Sequence, residues 1–201
     1  MRRLFLMFCV LLSVVASAQS LGRSGSALGP LIPEGWEHQH VDGDFNNDGY
    51  NDVAVLAHPS DTTNIFAIYF GSQEGQLKLW KQYPELLPNR DETTLVDVTM
   101  SVNKRGVLSI TVELFQTAGG YGTSYSTYVL RYQDADFFLI GKDEHVMSRN
   151  TGENVVDSYN YLTGKHQRVV DNVFDDSIKP KETWRNIPKE PLKPLGSFVM
   201  D

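Results

Sequence analysis

The sequence predicts an all-β fold: a single domain of antiparallel meanders and hairpins, built either like propeller blades or as an open sandwich, with an extended, proline-rich C-terminal tail. Three observations carry the prediction. Apolar and polar residues alternate in segment after segment, as in residues 95–102 and 107–115, and a period of two places alternate side chains on opposite faces of a strand. Short clusters of Gly, Asn, Asp and Pro, such as residues 103–106, separate these segments and punctuate them as turns. Residues 123–132 are dense in Thr, Tyr and Val, which favour a pleated, half-buried surface. At 201 residues and 41% apolar, the chain can bury one real core, and no linker divides it.

The chain opens with Met1-Arg2-Arg3, an apolar run from Leu4 to Val15, and Ala16-Ser17-Ala18. These are the basic, apolar and small-residue regions of a secretory signal, 1–18, with cleavage expected before Gln19. The apolar run is short for a bilayer span, and the Ala-x-Ala ending disfavours the alternative of an uncleaved anchor. The only cysteine, Cys9, falls inside this segment, so the mature chain has no disulfide, thiol nucleophile or cysteine metal site. Cys9 also lies too early to be a lipoprotein cysteine. The expected location is periplasmic or secreted, with no integral span after cleavage. Losing Arg2 and Arg3 takes the formal charge from −7 to −9, which argues against nucleic acid and anionic membranes as partners.

Residues 19–31, rich in Gly and Ser, read as a flexible leader. The β domain is expected over 32–178, opening at Ile32-Pro33-Glu34-Gly35-Trp36. Residues 37–41 form a short strand that carries His38 and His40 on one face, both read as partly exposed. Next comes Asp44-Phe45-Asn46-Asn47-Asp48-Gly49-Tyr50-Asn51-Asp52, where oxygen-bearing side chains recur at every second residue. A tight loop here can turn Asp44, Asn46 and Asp48 inward, add the backbone carbonyl of Tyr50, and close the shell with Asp52. Such an all-oxygen set suits Ca²⁺ rather than zinc or copper. Gly49 stands where the chain must bend sharply. Asp, Asn and Gly also make ordinary turns, but three carboxylates within nine residues repel one another without a cation. Asp42 is read as a flanking surface charge. The loop is no EF-hand, because the twelfth position from Asp44 is Val55 where a bidentate Glu is required, and the exit is a strand.

That strand, 52–57, is apolar throughout. It is followed by a turn at 58–63, a strand at 64–70, a turn at 71–75 and a strand at 76–82, together a three-strand meander starting at the loop. Residues 83–90, with Pro84 and Pro88, make a connection with room for one helical turn. A hairpin of 95–102 and 107–115 follows, then strands at 123–132 and 137–141 and a hairpin of 154–161 with 166–170. Prolines 180, 188, 191 and 194 break regular structure over 179–201, whose Trp184, Ile187, Leu192, Leu195 and Phe198 are expected to pack along the domain surface.

The spacing D-x-N-x-D-G-x-x-D before a strand resembles the calcium loop of FG-GAP and VCBS-type repeats, and Phe70-Gly71 strengthens the likeness. The resemblance carries Asp44, Asn46, Asp48, Tyr50 and Asp52 over as ligands. A second such loop is absent from the sequence, so the chain departs from the propeller-forming members of that class. Its order of motifs, from Ile32–Trp36 through Ile68-Tyr69-Phe70-Gly71 to Tyr159-Asn160-Tyr161-Leu162-Thr163-Gly164-Lys165, is similar to a family of exported bacterial proteins with one such loop. That likeness implies export and fold class and supplies no reaction.

Catalytic signatures are weak. Gly122-Thr123-Ser124-Tyr125-Ser126 lacks the closing glycine of a nucleophile elbow, and Thr163-Gly164-Lys165 lacks the upstream glycine of a phosphate loop. His145 and His166 are read as surface histidines. Asp97 and Glu113, on facing strands, are the least implausible carboxylate pair for a secreted carbohydrate-active hydrolase. The Tyr-rich stretch 121–132 suits either sugar or peptide binding or ordinary cross-strand packing. The expected function is a non-enzymatic, exported, calcium-binding module for binding or adhesion. Its candidate partners are a glycan, a peptide or another exported protein; the alternatives are the hydrolase and an inhibitor or partner protein docking through its C-terminal tail.

Overall fold

A computed structural model describes residues 20–60, 62–89, 93–118 and 120–201, so the expected signal segment lies outside it. Twelve strands follow in order: β1 Ser24–Gly25, β2 Glu37–Gly43, β3 Asp52–Ser60, β4 Thr63–Phe70, β5 Leu77–Tyr83, β6 Thr94–Val102, β7 Leu108–Gln116, β8 Gly122–Gln133, β9 Asp136–Ser148, β10 Glu153–Asn160, β11 Lys165–Asn172 and β12 Lys181–Asn186. Two antiparallel sheets result, ordered β1-β5-β4-β3-β2 and β12-β11-β10-β9-β8-β7-β6. One of the two curls into a half-barrel. Between the two expected architectures this is the open sandwich, with sheets of five and seven strands in place of four-stranded blades.

The main core lies between the sheets. Ala54, Leu56, Phe66 and Ile68 face Val98, Leu108, Ile110, Val112, Leu130 and Phe137 across it. On the other side of the first sheet a second cluster gathers Val53, Val55, Ala57, Ala67 and Tyr69 with Leu21, Leu31 and Ile32. β3 is therefore buried on both faces, which is why it reads as an unbroken apolar run rather than an alternating one. By contrast β6, packed on one face only, keeps the alternation.

Both ends of the predicted domain need correction. From Ser20 the expected flexible leader is part of the fold: β1 pairs with β5, Gly22 N–H donates to Leu31 O at 2.7 Å, and the Tyr69 hydroxyl donates to Gly22 O at 3.0 Å. Its leucines cover an apolar sheet face that would otherwise meet water. At the other end the boundary at 178 does not hold. β12 extends the second sheet by pairing with β11, and Leu195 and Met200 sit in the main core. The stretch between them remains extended and broken by proline. Among the described residues of the connection after β5 only turns occur, and Leu86 and Leu87 are driven into the core.

Candidate metal site

The loop 44–52 joins β2 to β3 and folds back on itself through its own side chains. Asp48 N–H donates to Asp44 Oδ1 at 3.1 Å and to Asn46 Oδ1 at 3.0 Å, so these two oxygens converge on one amide. Gly49 N–H donates to Asp44 Oδ2 at 2.9 Å, Tyr50 N–H to Asp48 Oδ1 at 2.9 Å, and the Asn46 amide to Asp48 Oδ2 at 2.9 Å. Asn47 and Gly49 take φ of 59° and 87°, the left-handed turn that curls the chain round these groups. Backbone N–H groups thus offset part of the carboxylate charge. Repulsion among the three carboxylates is consequently milder than their spacing implies.

Asp52 is placed differently from the other four expected ligands. It is fully buried, and its two oxygens accept N–H bonds from Phe45 at 2.8 Å and from Gly71 at 2.9 Å. Burial pushes its carboxyl up, the Gly71 and Phe45 amides pull it down, and the nearby charge of Asp48 pushes it up again. Asp52 is thus a clasp between the head of the loop and the Phe70-Gly71 turn. The structure brings Asp44, Asn46 and Asp48 together on the exposed side and holds Asp52 behind them. Asn51 donates to Asp42 Oδ1 at 3.0 Å, which gives Asp42 a structural partner. Among the described residues no three His, Cys, Asp or Glu side chains are grouped so as to hold a metal. A site here therefore depends on the Asn46 amide oxygen and on backbone oxygen, a hard-oxygen set that fits Ca²⁺.

The loop is also a junction between the sheets. Phe45 is buried in the main core and meets Phe137 edge-on at 5.8 Å, while the tight β6–β7 turn brings Gly106 against the Asp44 carbonyl. An open cavity of about 480 Å³ borders Tyr50 and Asn51, together with Leu28, His40, Asp42 and Gly71; none of the tyrosines of 121–132 lines it. Those tyrosines do not form one aromatic face. Tyr128 is buried in the core, whereas Tyr121 and Tyr125 are exposed.

Other candidates resolve in different ways. Asp97 and Glu113 are directly paired across β6 and β7; Asp97 borders a cavity of about 360 Å³ that Glu113 does not line, so the two do not share a cleft. His38 and His40 stack on β2 at 6.1 Å. His166 is a correction, since it is buried at 1% exposure. Its Nε2 meets Asp157 Oδ1 at 2.6 Å, Arg168 donates to Asp157 Oδ2 at 2.8 Å, and Arg185 Nε donates to His166 Nδ1 at 2.6 Å. That network places the imidazole proton on Nε2 and leaves neither ring nitrogen for a substrate. The period-two pair His166 and Arg168 is a local signal, but the strand that completes the network, β12, is not legible in sequence. No protein-family profile, no curated protein and no solved structure matches this chain.

Proposed function

We propose that this is an exported, non-enzymatic binding module whose loop Asp44–Asp52 holds a structural Ca²⁺. The observation that carries the proposal is the convergence of the Asp44, Asn46 and Asp48 oxygens within a loop that both sheets touch. Asp44, Asn46, Asp48 and the Tyr50 carbonyl would hold the ion, with Asp52 closing the shell from behind. A divalent charge there would neutralise the carboxylates and stiffen the corner where the two sheets meet. The basic, apolar and small-residue order of 1–18 supports export to the periplasm or beyond. Among the described residues no helix is long and apolar enough to cross a membrane. A glycan, a peptide or another exported protein is the proposed partner class. Docking through a free C-terminal tail is not favoured, because Leu195 and Met200 are already spent on the protein's own core.

Extracellular calcium modules bind at roughly 10⁻⁴ to 10⁻³ M. A hundredfold excess of ion over Kd stabilises the folded state by about 2.7 kcal/mol, and each kcal/mol moves the Tm of a domain this size by about 2–4 °C. EDTA is therefore expected to lower the melting temperature of the mature protein and Ca²⁺ to restore it. In Asp48→Ala the two melts should coincide. A wild-type melt indifferent to both reagents would overturn the assignment.

A further inference from the structure

The outward face of β9–β12 carries a groove of about 450 Å³ lined by Trp184, Gln167, Ser158, Asp143, Asn160 and Lys165, among others. Strand register explains how these residues meet. Trp184, Gln167, Ser158, Asp143, Thr127, Thr111 and Thr99 stand directly opposite one another across all seven strands. Beside them runs a second row, Asn186, Lys165, Asn160 and Gly141. Both rows lie on the face opposite Tyr128, Ile110 and Val98, which point into the core.

Trp184 is 61% exposed on an edge strand whose six residues are all exposed. It is nonetheless held in orientation. Its indole N–H donates to Glu182 Oε1, and Glu182 Oε1 is in turn held by the Gln167 amide at 3.0 Å. A large, flat, apolar ring is thereby presented to solvent with little rotational freedom left to lose on binding. In front of it the Asp143 carboxylate, the Ser158 hydroxyl and the Gln167 side-chain oxygen accept no hydrogen bond from the described residues. Lys165 donates to Asn186 at 2.7 Å and lines the same groove as Asp143.

This set of groups has a definite preference. A phosphate or nucleic acid needs a surplus of cations, and an ammonium ligand needs a surplus of carboxylates; here Asp143 and Lys165 are opposite in sign, the ammonium of Lys142, which also lines the groove, is paired with Glu144 and Asp201, and Glu182 is engaged by Trp184 and Gln167. Donors and acceptors are mixed, and an aromatic plate stands at one end. The matching ligand is neutral, hydroxyl-rich and flat on one apolar face. The rows run across the strands rather than along them, at about 4.8 Å per step and roughly 29 Å over seven strands. A peptide that added itself to the β12 edge would run the other way.

We propose that this groove binds a neutral polysaccharide, with one sugar ring stacked on Trp184 and the chain running over Gln167, Ser158 and Asp143 toward the threonine row. Thr127 and Thr111 already bridge through their hydroxyls at 2.8 Å, so the path continues as a polar track. The assignment rests on the binding-module reading and names its partner, but it does not use the calcium loop.

The test is retention of the mature, full-length protein in native gels cast with neutral glucan, mannan, galactan or soluble chitin oligomers, with alginate and an unrelated extended peptide as comparisons. The expected result is retention by at least one neutral glycan, weakened tenfold or more by Trp184→Ala and largely kept by Trp184→Phe. Since Trp184 is exposed, the melting temperature and its response to EDTA should be the same in these variants as in wild type. That keeps the two proposals separate: a melt indifferent to Ca²⁺ removes the calcium assignment and leaves the groove. No retention by any neutral glycan, retention unaffected by Trp184→Ala, or retention by alginate or peptide alone would each overturn the groove assignment.

Discussion

At the scale of single residues, two glycines explain how the loop 44–52 comes to sit where it does. A Cβ on Gly71 would lie 2.2 Å from the Asn51 carbonyl oxygen, and one on Gly106 would lie 2.2 Å from the Asp44 carbonyl oxygen. Both obstacles are backbone, which cannot swing aside as a side chain does. Gly71→Ala and Gly106→Ala are each expected to cost more than about 2 kcal/mol in denaturant unfolding, at the upper end for overpacking. Gly75→Ala is the control: its φ is +70° but nothing lies within 4 Å of its Cβ, so the cost should stay near about 1 kcal/mol. A loss at Gly106 no larger than at Gly75, which shares its positive φ, would mean that backbone conformation, not the approach of the loop, is what glycine supplies there. The ligand spacing and Gly49 are local patterns and can be read directly. The bond between Asp52 and the Gly71 amide spans nineteen residues and leaves no periodic trace, and the burial of His166 depends on a strand that ordinary strand signals do not reveal.

At the scale of elements, the strands from β2 to β11 follow from alternation and turns, with boundaries shifted by a few residues. β9 runs to Ser148, well past the expected end at Gly141, because its outer half pairs with β10 beyond the main core. The two strands missed are those without a hydrophobic period. β1 has only two residues, and β12, Lys-Glu-Thr-Trp-Arg-Asn, is an exposed edge that needs no apolar face. The last segment is similarly opaque: Leu195 and Met200 look like isolated apolar residues among prolines, yet they are 4% and 0% exposed. Leu195→Ala and Met200→Ala should each destabilise by about 2–5 kcal/mol, the range for emptying a core position. Val199→Ala, at an exposed position between them, should stay within about 0.5 kcal/mol. Measured by urea midpoint, a small loss at 195 and 200 would show that the segment rests on the surface instead of filling the core.

At the scale of the whole molecule, the fold class was legible because both sheets are antiparallel and built from near neighbours. How the strands divide into two sheets was not, since the break after β5 depends on which faces find each other. Closure of the structure centres on Tyr128. Its hydroxyl donates to Asp201 Oδ1 at 2.7 Å and accepts from Asp201 N–H at 2.8 Å, while Lys142 lies 3.2 Å from the same carboxylate. The Tyr128 hydrogen bond, helped by Lys142, holds the Asp201 carboxyl below its ordinary value. A depressed folded-state value stabilises the protein above the ordinary aspartate range, and that stability is lost as pH falls through the lower folded value. Wild type should therefore lose a little more stability than Asp201→Asn on acidification below about pH 4. The difference is small, because the carboxylate is largely exposed and screened. Tyr128→Phe should cost about 0.5–1.5 kcal/mol at neutral pH, and parallel acid melts of wild type and Asp201→Asn would mean that the Asp201 carboxylate adds no stability. The late position of Leu195 and Met200 has a further consequence for biosynthesis. Domains generally fold as units while the chain is being made, but here the main core stays unsealed until residue 200 has left the ribosome. A nascent chain that cannot close its interior early keeps apolar surface in water, and so open to aggregation, until that segment is in place.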